Sequence, residues 1–101
     1  RIENVYRIQV MNSSENALQV NFKVTGLPNL QILSSQGSPL RDILVEPSSN
    51  QLIPIRVSSP LGDINPGNYP IHFEVEGLEL SKGKDTVIRL RDEKSTFIVP
   101  R

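Results

Sequence analysis

His72 is the only histidine of the chain, and Glu74 and Glu76 follow it at two-residue spacing. On a strand, that spacing puts all three side chains on one face, so an imidazole and two carboxylates would stand in a row. Such a donor set suits a borderline divalent ion, or a copper ion held weakly. Three donors in a line close poorly around a metal, however, and a solvated strand face carrying ordinary polar residues accounts for them as well. The residue types therefore assign no metal site, with His72, Glu74 and Glu76 as the candidates that remain.

Other chemistry is sparser still. Met11 is the only methionine; a copper(I) carrier needs several soft ligands, so Met11 reads as packing filler. The serines have neither a Gly-x-Ser-x-Gly turn nor a neighbouring base. Asp92 and Glu93 are adjacent, so on a strand they point to opposite faces and cannot act as a glycosidase pair. The chain has no Trp, and both of its Tyr read as inward-facing, which leaves no stacking platform for sugars. Asn12-Ser13-Ser14 matches a glycosylation sequon in a predicted turn. With no cysteine, disulfides, thiolate zinc sites and iron–sulfur clusters are excluded from this segment. The chain therefore reads as non-catalytic, with no cofactor of its own.

Lys+Arg and Asp+Glu both number 11, giving a formal charge of zero. The nearest approach to a basic stripe, Lys82, Lys84, Arg89, Arg91 and Lys94, is interrupted by Asp85, Asp92 and Glu93. This argues against nucleic acid as a partner. No apolar run approaches the roughly 20 residues of a membrane helix. The chain opens at Arg1 in what already reads as strand, without an initiator Met, as expected of a piece cut from a larger protein.

The elements that would position these residues are strands. Ile2, Asn4, Tyr6, Ile8 and Val10 alternate with Glu3, Val5, Arg7, Gln9 and Met11, and Leu18, Val20, Phe22 and Val24 with Gln19, Asn21, Lys23 and Thr25. That is the period-2 pattern of half-buried strands. The polar turn at residues 12–16 between them makes either a hairpin or a sheet-to-sheet pair. Short strands are predicted over 30–33 and 42–46, and a longer one over 51–58, with Pro54 marking an edge. Residues 34–39 read as loop, Pro60-Leu61-Gly62-Asp63 as one helical turn, Lys82-Gly83-Lys84-Asp85 as a gap, and Thr86 to Val99 as the last strand. Asn65-Pro66-Gly67-Asn68-Tyr69-Pro70-Ile71 is the most telling stretch. Pro66 and Gly67 make a tight turn, and Tyr69 follows it, two residues before buried Ile71. This is the arrangement of a tyrosine corner, in which the hydroxyl reaches back to the backbone upstream. Seven or eight short strands with turn signals every 8–12 residues predict one domain over 1–101, an all-β immunoglobulin-like antiparallel sandwich.

Several stretches together resemble one family. Arg1-Ile2-Glu3-Asn4-Val5-Tyr6-Arg7-Ile8-Gln9-Val10-Met11-Asn12, the break at Val24-Thr25-Gly26-Leu27-Pro28, the strand Pro70-Ile71-His72-Phe73-Glu74-Val75 and the ending Glu93-Lys94-Ser95-Thr96-Phe97-Ile98-Val99-Pro100 are similar to the C-terminal domain of FixG/CcoG proteins. The resemblance implies that the parent is a bacterial inner-membrane protein with a ferredoxin-like portion holding two 4Fe-4S clusters. It implies that the parent assists assembly of cbb3-type cytochrome c oxidase and handles copper. This chain would then be its periplasmic immunoglobulin-like domain. The expected role is interaction or scaffolding, with the oxidase or its assembly factors as protein partner. The edge near Pro54 and the loop at 34–39 are the expected contact places. The alternatives are a weak copper-holding site at His72, Glu74 and Glu76, and a passive spacer.

Overall fold

The computed structural model describes residues 2–60, 64–81 and 86–101. The helical turn expected at Pro60-Leu61-Gly62-Asp63 lies largely outside these residues, and the gap expected at Lys82-Gly83-Lys84-Asp85 lies wholly outside them. Among the described residues the chain forms seven strands: β1 (Ile2–Asn12), β2 (Leu18–Thr25), β3 (Gln31–Leu33), β4 (Ile43–Val45), β5 (Ser49–Ser59), β6 (Gly67–Glu79) and β7 (Thr86–Val99). They make two antiparallel sheets, of order β1-β5-β3 and β4-β2-β6-β7, as expected of an immunoglobulin-like sandwich. The turn after β1 carries the chain from one sheet to the other, so β1 and β2 are a sheet-to-sheet pair. No helix among the described residues is long and apolar enough to cross a membrane.

Alternation decides which face each strand buries. Ile8 and Val10, Leu18, Val20 and Phe22, Ile53, Ile55 and Val57, and Ile71, Phe73 and Val75 are all buried and meet between the sheets, with Phe97 and Val99 from β7. The Tyr6 ring stands edge-on to Phe73, centroids 5.1 Å apart and planes at 69°. That is the arrangement favoured by the ring quadrupoles. Met11 falls on the other parity and is 67% exposed, so it is a surface residue and not packing filler.

The tyrosine corner is present. Tyr69 Oη donates to the Asn65 carbonyl at 2.6 Å, Ile71 is buried behind it, and Gly67 of the turn has φ 154°, a value L side chains rarely adopt. A second glycine is required by space. A Cβ on Gly26 (φ 128°) would lie 2.5 Å from the Pro70 carbonyl oxygen, where the chain leaving β2 passes the start of β6.

Two prolines fix the hydrogen-bond phase of the sheets. Pro54 lies opposite Arg7 and Pro70 opposite Thr96, each within an uninterrupted stretch of ladder. Neither has an N–H, so each pair must be of the non-hydrogen-bonded kind. Pro54 therefore turns its nitrogen away from β1, as do Leu52 and Arg56. A separate bond agrees: Leu40 N donates to the Ile32 carbonyl at 3.3 Å, so Ile32 faces away from β5. Gln31 and Leu33 then face their partners Ser58 and Arg56. The expected edge at Pro54 is corrected accordingly. β5 lies between β1 and β3, and Pro54 is accommodated because β3 pairs only with Arg56, Val57 and Ser58.

The sequon residue also differs from expectation. Asn12 is 2% exposed. Its Nδ2 donates to the carbonyls of Asn16 (2.9 Å), Glu46 (3.0 Å) and Val45 (3.3 Å), and its Oδ1 accepts from Ser14 N at 3.0 Å. It fastens the turn after β1 to the end of β4, a structural role that leaves its amide no access to a glycosyl donor.

These two polar anchors differ in burial, so they differ in cost. Tyr69→Phe removes a bond whose acceptor is exposed and lowers stability by about 1 kcal/mol. Asn12→Ala strands several carbonyls in a buried place and costs about 2–4 kcal/mol. Guanidinium denaturation midpoints should therefore fall in the order wild type, Tyr69→Phe, Asn12→Ala. An unchanged midpoint for either variant would remove that residue's assignment as an anchor.

Candidate functional site

His72, Glu74 and Glu76 lie on β6 and share the outer face of the four-stranded sheet, each half-buried. The flanking strands decide what surrounds them. His72 stands between Thr25 of β2 and Lys94 of β7; Glu74 stands between Lys23 and Asp92; Glu76 lies opposite Asn21. Lys23 Nζ is 3.9 Å from Glu76 Oε1, the lysine side chain exposed and the glutamate partly so, a pairing worth a few tenths of a kcal/mol. The fold thus keeps the three candidates in a row and intersperses lysines among them. Among the described residues no group of three or more His, Asp or Glu is gathered so as to hold a metal ion. An ammonium directly across from His72 and another across from Glu74 oppose a cation on this face. A shallow hollow does form beside His72, lined by Thr25, Gly26, Pro70, Ile71, Lys94 and Ser95.

The loop at 34–39 is held by its own bonds. Ser34 N donates to Ser38 O at 2.7 Å, Gly37 N to Ser34 O at 2.9 Å, and the two serine hydroxyls lie 2.9 Å apart. Leu33 bridges to Pro39 at its base. The loop presents a fixed shape.

The edge strands are β1 and β3 of one sheet and β4 and β7 of the other; sequence reasoning did not single out how β1 and β7 meet. Pro70 turns Thr96, and with it Ile98, away from β6. Asn4 reaches across from β1 and takes both groups of Ile98: Nδ2 donates to the Ile98 carbonyl at 3.0 Å, and Ile98 N donates to Oδ1 at 3.0 Å. Beside it, Tyr6 Oη donates to the Thr96 carbonyl at 2.8 Å. Burial raises the Tyr6 hydroxyl above its ordinary pKa. One side-chain amide thus does for β7 what another strand would do. The sequence signal was there: Asn4 is a polar residue at an inward position of an otherwise apolar alternation.

At Asn4, β1 overhangs the outer edge of β7, because the Ile98 groups it meets point away from β6. Hollows lined by Gln9, Val10, Met11, Val75 and Arg91 and by Tyr6, Arg7, Ile8, Phe73, Glu93 and Ser95 open where β1 faces β6 and β7. Arg91 and Glu93 pair with each other at 3.2 Å. A register shift between Val75 and Glu76 gives β7 one extra residue there, a β-bulge, which increases the local twist of the strand.

Residues 1–100 match the model of a protein family described as "IG-like fold at C-terminal of FixG"; the same description assigns FixG, as a proposal, to the oxidoreductases. No curated protein and no solved structure matches the chain.

The lysines around His72 lead to a direct expectation. Copper titrations of the wild type and of His72→Ala, followed by intrinsic tyrosine fluorescence and calorimetry, should superimpose. A saturable signal that His72→Ala abolishes would establish a copper site on this face.

Proposed function

The chain belongs to the family of immunoglobulin-like domains at the C-terminus of FixG, and from that premise we propose that it is a non-catalytic interaction and scaffolding domain. Its setting is a bacterial inner-membrane protein with this domain in the periplasm. The parent assists cbb3-type cytochrome c oxidase assembly and copper handling, and its two 4Fe-4S clusters are held by other parts of it. The partner is the oxidase or one of its assembly factors. The observation that carries this reading is the family match over residues 1–100. What the chain offers in support is surface for a partner: a self-bonded loop at 34–39, a polar face around His72, and a sheet edge at β1 able to add a strand.

Recognition and passive spacing are separated by truncating the parent just before Arg1, then measuring membrane level, iron–sulfur content and oxidase activity. The interaction reading expects the parent to remain inserted with its clusters while oxidase activity falls. If all three measures are unchanged, the domain is a spacer and the reading fails.

A further inference from the structure

We infer that the β1 edge is a self-association site, at which a second copy of this chain pairs antiparallel about a two-fold axis at Val5. The inference goes beyond the family role and does not depend on it. β1 is 11 residues long, pairs among the described residues only with β5, and runs without proline or bulge in its ladder. Edges of that kind are ordinarily blunted. β7 is blunted, by the Asn4 and Tyr6 bonds and by its bulge. The phase set by Pro54 turns the peptide groups of the odd-numbered residues of β1 away from β5, so those of Val5 and Arg7 face outward.

The side chains on that edge are self-complementary. In an antiparallel pairing that sets Val5 against Val5, Glu3 of each copy lies opposite Arg7 of the other. Only this register brings the two charges together: pairing centred on Arg7 opposes two guanidinium groups, and pairing centred on Glu3 opposes two carboxylates. The same register uses the odd-numbered residues as its hydrogen-bonded pairs, which are those whose amides point outward. Val5, at the axis, is 69% exposed in the monomer, and Ile98 beside the clasp is 53% exposed. Space permits the pairing here, since β1 overhangs β7 at Asn4. The product is one continuous sheet of order β3-β5-β1-β1-β5-β3.

A seam this short makes a weak dimer, so the test is sedimentation equilibrium of the chain up to about 1 mM, where a monomer–dimer equilibrium is expected. Glu3→Arg and Arg7→Glu each oppose like charges and should weaken dimerisation roughly tenfold or more, and the double variant should restore it. Val5→Pro removes an outward N–H that β5 does not use. It should give a monomer with an unchanged circular dichroism spectrum, whereas Tyr6→Pro should unfold the chain. A wild type that stays monomeric across the range overturns the inference. So does a dimer indifferent to the charge reversals, whether it forms through another surface or another register.

Discussion

Backbone amides must be paired or left in water, and the two amides that Pro54 and Pro70 lack set the phase for much of this domain. Pro54 assigns alternate peptide groups of β1 to β5 and the rest to the open edge. Pro70 does the same for β7, turning Thr96 and Ile98 toward the place where Asn4 and Tyr6 receive them. The clasp between the sheets and the free flank of β1 both follow from where a proline can stand in a ladder. A one-residue slip of either strand would bury a proline nitrogen against a carbonyl and turn the core residues outward.

The face each strand buries was legible because side-chain alternation is a local property. The β1 and β2 alternations, Ile53-x-Ile55-x-Val57 and the Tyr69 corner all carry their answer within a few residues. Neighbour relations are not local. Nothing in residues 51–58 says that a three-residue strand will cover one end of β5, and so Pro54 read as an edge residue. Met11 was misplaced for the opposite reason: its hydrophobicity was weighed above its parity, and parity prevailed. The candidate metal row was legible as a row, but the lysines set against it come from other strands and enter only through register.

Asn4 and Asn12 show how polar residues at inward positions should be read. Asn4 looked like a blemish in an apolar alternation and Asn12 like an ordinary turn residue, and each supplies the hydrogen bonds that a neighbouring strand or turn lacks. A buried amide in such a place is expensive unless satisfied, so its presence signals carbonyls that must be met nearby. By that logic the most informative letters of β1 are the two that break its pattern. The family role rests on other grounds, because a sandwich of this kind is compatible with many functions and its fold alone selects none.

The buried amide of Asn12 also bears on how the protein can be made. The Asn12-Ser13-Ser14 sequence is presented to a co-translational oligosaccharyltransferase while the chain is still extended. A glycan attached then could not be accommodated where Val45, Glu46 and Asn16 converge. Passage through a eukaryotic secretory pathway would divert nascent chains into a form unable to close that end of the sandwich. A cytosolic or bacterial host without that enzyme, or a Ser14→Ala chain that lacks the sequon, avoids the diversion.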